Sequence, residues 1–431
     1  MASTDQPSCH SPRTTCLARP VNHLFLPSPG SRAISAAAVR ADRPQARATA
    51  QSSRRCVVLR GIRSPGSDSD SACCVAVVAD IAQRGPALTL ENRLPLVPGP
   101  APVRGSSYAV LLRQVREAGL LHRRVRYYGW KTAATGGVYV AAWVAFSALG
   151  DSWWSLGCAV VLAAVFSQFA FLGHDAGHRQ IFRTRRANYL YGLIAGNLAI
   201  GLSIGWWTSN HNRHHAHPNT EGADPDVSGI LAHSGARALA GKGWRRFIFR
   251  YQAWLFFPML LLEAGSLHYS SVRAVLRWPI RHRVLEGMML LAHTVGYLSL
   301  VFLVLPPGKA LVFIAVQQGL FGFYMGCTFA PNHKGMEVLS ADDQVDFLRR
   351  QVLTSRNVRG NWLNDLVFGG LNYQIEHHLF PTMPRANLHR AQPIVVDFCA
   401  GLGVPYVQTG VLDSYRHALR HLDSVGRHAA K

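Results

Sequence analysis

The 431-residue sequence predicts an all-α integral membrane protein: four transmembrane helices in two hairpins, interfacial helices, and a cytosolic cap rich in histidine. Three observations carry this expectation. Apolar residues gather in nearly uncharged blocks of about twenty residues, basic residues flank those blocks on one side, and histidine clusters stand just beyond the apolar segments. The net charge is +22. In a soluble protein this surplus would suggest nucleic acid. Here the basic residues border apolar spans, so anionic lipid, membrane orientation and an acidic partner account for it, and no nucleic-acid role is expected. The eight cysteines show no CxxC and no regular spacing, which argues against a disulfide framework or a zinc ribbon.

Residues 1–106 are rich in Ser, Pro, Arg and Ala, and their sizeable apolar stretch, 73–79, is too short to cross a bilayer. This head reads as a disordered or mis-started extension, with an organellar transit peptide as the alternative. The folded domain is expected over 107–425, with 426–431 as a tail. A basic stretch carrying Arg113, Arg116, Arg123, Arg124, Arg126 and Lys131 leads into the first span, 132–150. The second span, 153–173, follows a turn bearing Trp153 and Trp154 at the headgroup level. Spans three and four, 284–305 and 311–330, are joined by Pro306, Pro307, Gly308 and Lys309. The basic segments 179–186, 237–250, 273–283 and 349–359 all fall on the opposite side, which puts both termini in the cytosol. In a bacterium the membrane would be the plasma membrane.

Segment 189–207 is uncharged and long enough to span. A crossing there would put the histidines before and after it on opposite faces of the membrane, so it is expected to lie along the interface. Segment 251–267 is expected there too, because Pro258 and Glu263 near its middle disfavour a span.

The chemistry-bearing residues are His174 and His178 in HDAGH, His211, His214 and His215 in HNRHH, and His377 and His378 in QIEHH. On a helix, residues at i, i+3 and i+4 share a face, so each cluster aims its rings in one direction. One such pair is usually incidental, but three in one chain are not. Seven imidazoles exceed one metal site and suit two metals, each with an open coordination place. Zinc cannot change oxidation state, which favours iron and O₂ chemistry. The HExxH of zinc proteases and the ExxH of carboxylate diiron bundles are both absent. A non-catalytic membrane metal carrier would need a polar path, and the spans hold no acidic pair.

HDAGHRQIF, HNRHHAHPN followed by DPD, and NYQIEHHLFP resemble, in order and interval, the three histidine boxes of the membrane fatty acid desaturase family. The resemblance covers about 108–425, looks closest to actinobacterial-type acyl-CoA or acyl-lipid desaturases, and includes a third-box Gln similar to that of front-end desaturases. It implies a diiron centre that uses O₂ as co-substrate to introduce a C=C bond into a fatty acyl chain. A hydroxylase or ketolase with the same histidine chemistry is the nearest rival. The seven box histidines would be iron ligands, joined by an eighth, His333 in APNHKGM. Two departures stand out: Gln374 replaces the His found in many members, and Phe329 replaces an Asn four residues before His333. Gln374 is therefore a metal ligand or a water-mediated neighbour.

Asp175, Asp224, Asp226 and Glu376 lie close to the boxes and are candidates to orient the imidazoles. His217 reads as a loop residue and His293 as an interhelical hydrogen-bonder; Gln168, Gln317 and Gln318 sit within spans. Gly201-Leu-Ser203-Ile-Gly205 matches the GxSxG of serine hydrolases, but it lies in an apolar run with no preceding strand, so Ser203 is expected to pack. No iron–sulfur spacing, GxGxxG or haem-binding HPGG occurs in the sequence. Electrons are expected from a separate acidic donor, ferredoxin or cytochrome b5 with its reductase, drawn to Arg179, Arg183, Arg185, Arg186, Arg245, Arg246, Arg349 and Arg350.

Overall fold

The computed structural model describes residues 106–227 and 229–430. The disorder expected of residues 1–106 falls, Ser106 apart, outside the described residues. Among the described residues, four helices are long and apolar enough to cross a membrane: α2 (Val125–Leu149), α3 (Ser155–Gly177), α9 (Arg283–Val304) and α10 (Pro307–His333). They contain or overlap the four expected spans. Helix α2 begins seven residues before position 132 because the Arg- and Tyr-rich approach is itself helical. Pro307 opens α10, where a missing N–H costs nothing.

Helix α3 is the centre of the apolar body. Its most apolar window is 61% buried, against 17% for that of α2. It packs on both α2 and α10, through a core that includes Phe146, Leu162, Phe166, Phe313 and Phe321. Helices α2 and α9 instead present Val138, Val140, Val144, Leu291, Val295 and Leu303 outward. Such faces are stable against lipid and costly in water.

Segment 189–207 is not one helix. Helix α4 (Arg185–Gly192) runs into a π-helical turn, Leu193–Leu198, and the chain then breaks at Gly201 before α5 (Ile204–Ala216). Gly201 has φ 69°, and a Cβ there would sit 2.5 Å from His293 Cδ2. The break frees two backbone carbonyls. His293 Nδ1 meets that of Leu198 at 2.9 Å and His268 Nδ1 meets that of Gly201 at 3.0 Å, so irregular backbone among apolar helices keeps its hydrogen bonds. Segment 251–267 also breaks, between α7 (Trp244–Leu260) and α8 (Glu263–Arg277). This junction seats on α10 at Gly322, where a Cβ would lie 2.6 Å from the Ala264 amide nitrogen.

A second apolar core gathers α1 (Ser107–Glu117), α11 (Phe347–Leu353), α13 (Gln374–Leu379) and α14 (Leu388–Gly401) around Leu111, Val115, Leu348, Val352, Ile375 and Leu379. Strands β1 (Asn357–Val358) and β2 (Gln408–Thr409) pair in parallel, a small departure from the all-helical expectation. Helix α15 (Val411–His428) then returns along α7 and α10.

Candidate metal centre

Four elements converge here. The last turn of α3 supplies His174, and His178 caps it. Helix α5 carries His211, His214 and His215; α10 ends on His333; and α13, whose six residues are all buried, carries His377 and His378. Ring nitrogens of His174, His178, His211 and His377 all lie within 4.8 Å of one another, as do those of His214, His333 and His378. His215 bridges the two groups. Its Nε2 is 3.1 Å from Nε2 of both His211 and His377, and its ring stacks on that of His378 at 4.2 Å. Trp207, one turn before His211, stacks on that ring at 4.4 Å and walls the first group. It fits because residue 177 is Gly: a Cβ there would lie 2.5 Å from the Trp207 ring.

The rings are turned by their outer nitrogens. His174 Nδ1 is 3.1 Å from Asp175 Oδ1, His214 Nδ1 is 2.9 Å from Asp224 Oδ2, and His333 Nδ1 is 3.0 Å from the Thr354 carbonyl. His378 Nδ1 is 2.9 Å from Gln351 Oε1, and Gln351 is oriented by donating to the His215 carbonyl at 3.0 Å. Each contact places the proton on Nδ1 and leaves the Nε2 lone pair facing inward. Among the described residues, the buried Nε2 atoms of His174, His178 and His378 have no hydrogen-bond partner, nor do Nδ1 of His215 and His377. Orphaned buried nitrogens are costly in a protein interior, and so many converging imidazoles fit metal ions of the Fe, Cu or Zn kind.

Electrostatics point the same way. Burial, reinforced by neighbouring imidazoles, holds His178, His211, His215, His377 and His378 well below the usual histidine range, so their lone pairs are free at neutral pH. Burial also opposes charge on His214, but the Asp226 and Asp224 carboxylates raise it above that range.

The four candidate carboxylates take different places. Asp175 holds His174 and is itself gripped by the buried guanidinium of Arg385. Asp224 touches His214 directly, while the exposed Asp226 approaches the same nitrogen at 3.4 Å. Glu376 instead accepts from Asn357 Nδ2 and Tyr406 OH, both at 2.7 Å, and ties α13 to β1 and the chain before β2. His217 lies exposed beyond α5 and joins neither group.

Arg385, Arg356, Gln351 and Thr354 carry no signal in a single sequence, because their partners are brought near only by the fold. Arg356 is fully buried; its Nε donates to the Pro331 carbonyl at 2.9 Å and its Nη2 to that of Lys334 at 2.8 Å. It thereby caps the end of α10 that carries His333. Burial lowers its pKa to about 10.

The family sequence model for fatty acid desaturases matches residues 151–410, a stretch containing all eight candidate ligand histidines, and the chain belongs to that family. It is 35% identical over 289 residues to the acyl-lipid (9-3)-desaturase of Physcomitrium patens, covering 64% of this chain and 54% of that protein. It is 30% identical to the Delta(5) fatty acid desaturase fat-4 of Caenorhabditis elegans, covering 63% and 64% of the two chains. With fatty acid desaturase 3 of Bos taurus it shares 31% identity over 74% of this chain and 72% of that one. The chain thus spans between half and two thirds of the length of the first two relatives.

Proposed function

We propose that this protein uses O₂ and two external electrons to insert a double bond into a fatty acyl chain. The observation that carries the reading is the pair of converging imidazole groups, several of whose buried ring nitrogens, among them Nε2 of His174, His178 and His378, lack a hydrogen-bond partner among the described residues. His174, His178, His211, His215 and His377 would hold one iron and His214, His333 and His378 the other. Iron bound there supplies the redox chemistry that activates O₂ for taking two hydrogens from adjacent methylenes. With two electrons and two protons from outside, both oxygen atoms leave as water.

The chain's own residues prepare the site. Asp175, Asp224, Gln351 and Thr354 fix the rings, and Trp207 with the second apolar core keeps bulk water away. The spans form two hairpins beneath a cytosolic cap, with both termini in the cytosol, and the acyl chain arrives on CoA or on a lipid. The third-box Gln374 and the names of the relatives support a front-end type of double-bond position. Electrons come from a separate acidic carrier of the ferredoxin or cytochrome b5 kind, with its reductase. Expression in a desaturase-deficient host tests the reading: acyl products lacking two hydrogens, with the new double bond located by mass spectrometry, are expected. Products that have gained oxygen would identify a hydroxylase instead.

A further inference from the structure

Gln374 stands beside His333, its Nε2 2.9 Å from His333 Nε2. Two independent contacts fix which way round this amide sits. His333 Nδ1 faces the Thr354 carbonyl, which can only accept. The ring proton is therefore on Nδ1, Nε2 is an acceptor, and the Gln374 atom beside it must be the N–H₂.

The other contact is Asn332. Its Nδ2 lies 3.3 Å from the Thr328 carbonyl and 3.1 Å from that of Leu371, both acceptors, so the Asn332 amide has one satisfactory orientation. That same Nδ2 meets Gln374 Oε1 at 3.3 Å. Turning Gln374 over would set donor against donor at Asn332 and lone pair against lone pair at His333. Both side chains are buried, where such mismatched polar contacts are costly.

An amide N–H₂ has no lone pair to offer a metal. We propose that Gln374 is a hydrogen-bond donor and not an iron ligand, that Asn332 is the positioning residue that holds it so, and that its N–H₂ serves a small hydrogen-bond-accepting ligand at the exchangeable position of the iron on His214, His333 and His378. Once His333 Nε2 is committed to iron, this donor loses its present acceptor and needs another from the same side. The inference rests on the diiron reading.

Azide is the probe, bound to the purified, oxidised, iron-loaded enzyme and followed by its visible charge-transfer absorption. Wild type is expected to hold about two irons, and Gln374→Leu to hold the same number while binding azide on the order of tenfold more weakly, the usual worth of a hydrogen bond to a charged group. Asn332→Ala should weaken azide similarly, and the double variant should be no weaker than Gln374→Leu alone, because both changes remove one interaction. Loss of an iron in Gln374→Leu would make Gln374 a ligand and overturn the proposal, as would azide affinity within twofold of wild type. Additive losses in the double variant would remove Asn332 from its positioning role. Wild type without two irons would instead sink the diiron reading itself.

Discussion

Ser203 Oγ lies 2.5 Å from Glu286 Oε2, and this bond anchors the helix that bears three of the imidazoles. Ser203 caps α5 by accepting from the Trp206 amide at 3.1 Å, and the same carboxylate takes the Gly205 amide at 3.2 Å and Tyr189 OH at 2.9 Å. Glu286 belongs to α9, so one buried carboxylate ties the histidine-bearing α5 to a membrane span. Glu286→Ala should strand several buried donors at about 1–3 kcal/mol each. The expected result is a midpoint in detergent lowered by several degrees together with lost iron, and a smaller loss for Glu286→Gln. An unchanged midpoint and iron content in the Ala variant would contradict the anchoring role.

His214→Ala and His378→Ala should each abolish desaturation while membrane insertion stays normal. His217→Ala, outside both groups, should retain most activity. Product analysis on membranes carrying equal amounts of each variant checks this. Substantial turnover by the His378 variant would mean the second group is not required.

Arg356→Met should release the end of α10. Three carbonyls, those of Pro331, Lys334 and Ser414, lose their buried donor, at about 1–3 kcal/mol for each unsatisfied group. Iron is expected to fall from about two per chain towards one, because His333 loses its fixed position. Arg356→Lys should recover part of it. Metal analysis of purified protein decides, and full iron occupancy in the Met variant would refute the capping role.

Burial raises Glu263, the first residue of α8, to about 7. Its reference value is 4.5, so between the two the folded protein binds more protons than the unfolded chain. Its stabilising contribution is complete below pH 4.5 and is lost as pH rises through 7. Thermal midpoints in detergent should therefore decline from pH 5 to pH 8, and Glu263→Gln should flatten this decline. A variant with the same slope as wild type would assign the decline to other groups.

Electron delivery by an acidic carrier should slow as salt rises, since exposed charges are screened over about 8–10 Å at physiological ionic strength. Reconstituted turnover measured at increasing salt tests this. A salt-independent rate would remove the electrostatic docking, and turnover with NADPH alone would remove the separate carrier.

The four membrane-length helices were legible because bilayer thickness imposes a block length that a single sequence records. The breakage of segment 189–207 at Gly201 and its π-helical turn left no readable pattern in the sequence. The seven box histidines announced themselves by helical spacing; His333, isolated in sequence, needed the family resemblance. Arg385 and Arg356 were illegible because the identity of a buried partner is a property of the fold: Arg385 meets Asp175 across 210 residues. Glu376 looked like an imidazole partner by adjacency, yet one step along α13 turns its side chain towards Asn357 and Tyr406.

The two imidazole groups share a dependence on late synthesis. The first needs His377 and the second His378, so neither is complete until the ribosome has passed those codons. At about 5–20 residues per second, roughly 10–40 seconds separate His174 from His378. Towards the end of that interval the chain holds three imidazoles of the first group and two of the second. Copper and zinc bind such partial sets more tightly than ferrous iron does. Because α13 carries both His377 and His378, its docking completes the two groups in a single step.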